Sequence, residues 1–220
     1  MSRIYQSLKT LYKIPLEEMA TKLNYHKSNL YILQNKFELL EKEFPEIYNA
    51  LLSCIHQKDN RTYQGYAKDL VSSWVFEDTL LEYLNKSTLE VMLNGSDKNR
   101  IILQNTRVET TADYLIKKQN KQRYIELINS YTPYWSNTKR IELRDNKYLK
   151  MKSKNVLLLC VDIYSNIFYI IDIINQQNVK YIEHHKAYGK PAYSIDIKDL
   201  TSYKLSLLTL VKQIELSIDS

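Results

Sequence analysis

The stretch Thr106–Trp135, TRVETTADYLIKKQNKQRYIELINSYTPYW, decides how the chain is read. Thr111–Ile116 and Arg123–Ile128 both alternate polar with apolar or β-branched residues, the period of a half-buried strand. The polar segment Lys117–Gln122 between them predicts a hairpin. With the turn centred on Gln119-Asn120, residues whose numbers sum to 239 face each other, which sets Asp113 opposite Glu126. Facing side chains in a sheet have Cβ atoms roughly 4.5–5.5 Å apart, and like charges at that separation repel. A divalent cation offsets such repulsion, and Mg²⁺ in particular takes one or two carboxylates together with waters and phosphate oxygens. Held there, it would generate hydroxide and stabilise the charge on a phosphodiester under attack. The alternative is an ordinary hairpin whose acids sit on a solvated face.

A carboxylate on one strand, a second about a dozen residues later on the next, and a helix to follow resemble the PD-(D/E)XK nuclease superfamily, which includes many type II restriction endonucleases. Ala112-Asp113 stands where the family has Pro-Asp, and Glu126-Leu127-Ile128 where it has Glu/Asp-x-Lys; the resemblance spans Tyr63 to Ser202. Ile128 departs from the pattern, because the family's lysine is credited with helping to activate the attacking water. The resemblance implies an α/β (α+β) chain: a helical region over residues 1–58, then a restriction-endonuclease-like mixed β-sheet flanked by helices over residues 59–220. It implies a Mg²⁺-dependent, sequence-specific endodeoxyribonuclease acting on double-stranded DNA. Asp113 and Glu126 would be the metal ligands, Glu77 a further acid from the preceding helix, and Lys139 or Lys147 the replacement for the missing lysine. A homodimer is expected if the target is palindromic, since two-fold protein symmetry matches two-fold DNA symmetry. Asp196-Ile197-Lys198 matches Asp-x-Lys literally, with Asp172 upstream, but ranks second because no helix of the usual kind separates them.

The remainder of the chain is consistent with a nucleic-acid partner. Lys and Arg exceed Asp and Glu by 31 to 25, a surplus that favours phosphate contacts. The 19 tyrosines suit base stacking, although most recur at helix or strand spacing and suit packing better. Cys54 and Cys160 are far apart, which excludes a disulfide scaffold and fits a reducing compartment. MSRIYQSLKT lacks the apolar core of a signal peptide, and no run approaches the roughly 18 apolar residues of a membrane span, so a cytoplasmic location is expected.

Leu16–Leu33 resembles a helix-turn-helix: Ala20 stands where the helices touch, and Asn24 where the turn wants a residue tolerant of left-handed backbone. Its second helix would offer His26, Lys27, Ser28, Asn29, Tyr31 and Gln34 to a major groove. A plain helical hairpin needs the same small residue and apolar stripe. This segment, with Ile128, supports a second function of another class, a non-catalytic DNA-binding regulator whose second domain serves dimerisation or sensing.

Gly65–Leu84 has helical spacing and carries Glu77. Asn129–Asn137, broken by Pro133, reads as a loop bringing Tyr134 beside the acids, and Thr138–Lys154 as one cationic helix presenting Arg140 and Arg144 to DNA. Val156–Ile173 reads as two strands about Tyr164-Ser165-Asn166, without clean alternation and so interior to the sheet. Short strands follow in Lys180–Asp199, and Leu200–Ile218 reads as a closing helix with Leu205, Leu208, Val211, Ile214 and Ile218 inward. His184-His185 lacks a third ligand at useful spacing for zinc.

Overall fold

A computed structural model describes Ser73, Phe76, Glu77, Lys98 and residues 80–96, 111–130 and 132–219. The chain divides into two units, Met1–Tyr83 with Ser96–Glu109 and Leu84–Gly95 with Thr110–Ser220. In the first, Ser73, Phe76, Glu77 and residues 80–83 are helical, within the helix expected over Gly65–Leu84. The helix-turn-helix-like segment, with His26, Lys27, Ser28, Asn29, Tyr31 and Gln34, and the expected boundary after residue 58 lie outside the described residues.

The second unit runs β1 (Glu90–Leu93), β2 (Tyr114–Lys118), β3 (Lys121–Ser130), α1 (Tyr134–Thr138), β4 (Arg140–Arg144), α2 (Asp145–Ser153), β5 (Leu157–Asp162), β6 (Ile167–Asp172), β7 (Val179–Ile182), β8 (Ala192–Asp196), β9 (Tyr203–Lys204) and α3 (Leu207–Asp219). Six strands form a mixed sheet in the order β1-β2-β3-β5-β6-β9, and β4-β8-β7 form a second sheet. This is the expected α+β class, a mixed sheet with flanking helices.

The β2–β3 hairpin has the register that the sequence spacing predicts, Tyr114 against Ile125 and Lys118 against Lys121. Its turn is confined to Gln119-Asn120, tighter than the loop expected, because Gln119 adopts φ 54° and lets both strands run to the turn.

β3 and β5 are parallel, and a parallel pair needs a crossover of a dozen or more residues. Residues 131–156 supply it, and here the structure corrects two expectations. Asn129–Asn137 is not all loop: β3 continues to Ser130, and Pro133 opens the short helix α1. Thr138–Lys154 is not one helix either, since Arg140–Arg144 is a strand paired with β8. Its side chains have a period of two, Ile141 and Leu143 buried and Arg140 and Arg144 exposed, which a helix cannot reproduce. Lys139 marks the junction in left-handed backbone at φ 58°.

α2 ends in a Schellman arrangement. The Val156 amide donates to the Met151 carbonyl at 3.1 Å and the Asn155 amide to Lys152 at 3.2 Å, with Asn155 at φ 51°. Val156 and Met151 join one apolar cluster with Ile141, Leu143, Leu158, Cys160, Ile171 and Ile195. The smaller sheet and α2 thus pack on one face of the larger sheet, whose other face is met by α3 along β3, β6 and β9. Every residue of β5 is buried, as its unbroken apolar run predicts.

On α3 the inward stripe is Leu210, Ile214 and Ile218, and Leu208, expected inward, is 81% exposed. Ser206 Oγ accepts the Thr209 amide at 3.2 Å as an N-cap, so the helix begins at Leu207, later than expected. Among the described residues no helix is long and apolar enough to cross a membrane.

Leu158 is fully buried between the sheet's neighbours and the smaller sheet. Leu158→Ala is expected to lower unfolding free energy by about 2–5 kcal/mol in urea denaturation, and a loss under about 1 kcal/mol would contradict this packing.

Candidate active site

Asp113 lies one residue before β2, at the point where the chain bends away from the β2–β3 ladder. Its carbonyl is drawn to the other side, accepting the Asn94 amide at 2.7 Å, and the Ala112 carbonyl accepts the Asn94 side-chain amide at 2.9 Å. The ladder carbonyls are therefore occupied, and the Asp113 carboxylate takes over, Oδ2 accepting the Leu127 amide at 2.7 Å. This hydrogen bond fixes the side chain against β3.

Glu126 stands next along the same strand and is buried at 3% exposure. Isolated burial of a carboxylate is strongly unfavourable, so its charge must be met. Lys147 meets it, Nζ pairing with Glu126 Oε1 from α2. The side chains alternate along β3, so Ile128 points to the same face as Glu126, where it packs on the apolar cluster. Cys160, one strand over and opposite Ile128, lies beneath this pair. Burial drives its thiol far above the usual range, with Lys147 opposing and Glu126 reinforcing the shift.

Of the two candidate lysines, the structure brings Lys147 to Glu126, and Lys139 to neither acid among the described residues. Lys139 is exposed at the α1–β4 junction, with no ion pair among the described residues. Glu77 is buried and belongs to the first unit, whereas Asp113, Glu126 and Lys147 belong to the second. Arg140 and Arg144 are exposed at the two ends of β4. The rival acids do not meet: Asp172 is at the end of β6 in the larger sheet, bonded to Arg123 at 3.0 Å, whereas Asp196 is in the smaller sheet, bonded to the Lys198 amide at 3.1 Å.

Tyr134, expected to rim the acids, donates instead to Glu142 Oε2 at 2.7 Å. That bond to a carboxylate, aided by burial, pushes the Tyr134 hydroxyl up to about 12. Glu142 Oε2 also pairs with His185 Nε2 at 2.9 Å, both side chains being 8% exposed. This cluster had only one trace in the sequence, the His184-His185 pair.

Among the described residues no group of three or more His, Cys, Asp or Glu side chains is arranged to hold a metal ion. Asp113 and Glu126 are of the residue type that Mg²⁺ takes, one or two carboxylates with waters completing the shell.

No protein-family model matches the chain, and no curated protein matches it. Solved structures do, among them that of Hjc, a Holliday junction resolvase from Archaeoglobus fulgidus, an archaeal hyperthermophile. The similarity has a TM-score of 0.38 and 10% sequence identity, and covers 61% of this chain and 97% of that one.

Removing Lys147 leaves the Glu126 charge buried without that counter-charge. Breaking a buried pair costs about 3–5 kcal/mol, and since Lys147 is 38% exposed, Lys147→Met is expected to cost about 1–3 kcal/mol. Glu126→Gln in the same chain should recover most of it. A double-mutant cycle with coupling near zero would mean that the pair does not stabilise the fold.

Proposed function

We propose that the chain is a metal-dependent endodeoxyribonuclease of the PD-(D/E)XK type, hydrolysing phosphodiester bonds of double-stranded DNA. One observation carries this assignment: two carboxylates are fastened to adjacent positions of a central strand, Glu126 directly and Asp113 through the Leu127 amide, and Lys147 stands against one of them. Two acids can take a divalent cation, and an ammonium group beside them can take a phosphate oxygen.

Asp113 and Glu126 would hold the Mg²⁺ ion, which when bound supplies a hydroxide nucleophile and offsets charge developing on the phosphate. Asp113 is oriented by the Leu127 amide. Lys147 serves in place of the lysine that Ile128 lacks, as a proton donor and as a partner for a phosphate oxygen. Arg140 and Arg144, exposed at either end of β4, contact the DNA backbone together with the half-exposed ring of Tyr134. His26, Lys27, Ser28, Asn29, Tyr31 and Gln34 read base edges, and a cytoplasmic homodimer cutting a specific palindromic site completes this reading.

The second reading, a DNA-binding regulator without chemistry, is favoured by Ile128 packing into the core and by Lys147 already neutralising Glu126. The two are separated by incubating plasmid DNA and a synthetic four-way junction with the full chain and Mg²⁺, beside Asp113→Ala, Glu126→Ala and Lys147→Ala. Cleavage is expected from the native chain, none from the acid variants, and a rate at least about a hundredfold lower from Lys147→Ala. In parallel, Mn²⁺ without DNA should raise the melting temperature of the native chain but not of Asp113→Ala. DNA that is bound yet uncut, with no metal-dependent stabilisation, would decide for the regulator.

A further inference from the structure

The loop that follows β7 is fastened to the outer face of the smaller sheet by buried polar groups, and packing alone does not account for them. On β4, Arg140, Glu142 and Arg144 point away from the core occupied by Ile141 and Leu143. A carboxylate on such a face is ordinarily solvated, yet Glu142 is covered by His185 and Tyr188. His185 Nδ1 accepts the Tyr188 amide at 3.2 Å, so its Nε2 carries the proton donated to Glu142. The Tyr188 hydroxyl donates to the Glu142 carbonyl at 3.2 Å, and its ring stacks on His185 with centroids 4.3 Å apart.

The backbone closes the loop as well. The Gly189 amide donates to the His185 carbonyl at 2.8 Å with Gly189 at φ +61°, the His185 amide to Lys190 at 3.2 Å, and the Asp145 amide to Pro191 at 3.0 Å. Both ring nitrogens of His185 are engaged, one by Tyr188 and one by Glu142, which is what fastening the loop requires.

What the fastened loop presents is cationic. Lys186 and Lys190 are exposed, with Glu183 the one acid of residues 183–190. The Arg144 guanidinium lies over the Tyr188 ring, 5.5 Å from its centroid, and Lys147 is near enough for its charge to act on the Tyr188 hydroxyl. The loop therefore carries two exposed lysines, and its Tyr188 ring lies under the Arg144 guanidinium.

We propose that residues 183–190 form a second nucleic-acid contact, in which Lys186 and Lys190 grip the phosphate backbone, and in which Glu142 and His185 are positioning residues. This rests on the nuclease reading only for the identity of the polyanion. Lysines on a mobile chain would pay more ordering entropy for each phosphate held, and the buried clamp removes that penalty before binding.

The test measures affinity of the full chain for a fluorescent duplex in EDTA across a KCl series. Each lysine–phosphate pairing removed by mutation flattens the dependence of log affinity on log salt by about one unit. Lys186→Ala with Lys190→Ala is expected to flatten it by about two units and to weaken binding about tenfold at low salt. His185→Ala, which removes no cation, should weaken binding in the same direction. His185→Gln, whose amide both donates to Glu142 and accepts from Tyr188, should restore it. An unchanged salt slope in the double lysine variant overturns the proposal, and so does a native chain that binds no duplex. A native chain that binds with the expected slopes but never cuts DNA with Mg²⁺ supports the loop contact and sinks only the nuclease reading.

Discussion

A carboxylate on the inward face of a central strand must be met by opposite charge, and the second unit is arranged so that Lys147 meets Glu126. The parallel neighbour β5 does not supply the cation: on the shared face it offers Leu158 and Cys160. It has to come from an element packed over the sheet. The parallel pairing of β3 with β5 provides that element, because the chain must cross over before it can run in the same direction again. α2 lies in the crossover, and its Schellman end at Asn155 and Val156 returns the chain directly into β5. Sheet topology and site electrostatics are therefore one constraint.

The parts of this arrangement that were legible in the sequence are those fixed by near neighbours. The β2–β3 register follows from a period of two on either side of Gln119-Asn120, and the burial of β5 from its continuous apolar run. β4 was hidden because Arg140–Arg144 has only two apolar residues, Ile141 and Leu143, set among charges that suit a helix surface equally well. What makes it a strand is β8, which lies far along the chain. β1 escaped for the same reason, being a short strand defined by its pairing with β2.

The site divides along the same line. Asp113 and Glu126 could be matched by register arithmetic, but the hydrogen bond that fastens Asp113 to Leu127 depends on Asn94 claiming the competing carbonyl at Ala112. Lys147 was one of two lysines at comparable sequence distance, and the strand at β4 separates them, since it leaves Lys139 on the exposed junction and carries Lys147 onto α2. The Glu142–His185 pair joins elements with no local signal connecting them.

Ile128 then has a physical explanation rather than being a defect in a pattern. Two residues on from Glu126, it faces the same side of β3, where it packs on the cluster that holds the smaller sheet to the larger. A lysine there would have to carry its stem past Cys160 and Leu158 to bring an ammonium group to Glu126, with desolvation opposing it throughout. A lysine arriving from α2 approaches from the partly open side, and Lys147 keeps 38% of its side chain exposed while its head group reaches the carboxylate. The electrostatic requirement concerns where the charge stands, not which strand position supplies it, so an apolar residue at 128 and a cation at 147 satisfy packing and charge together.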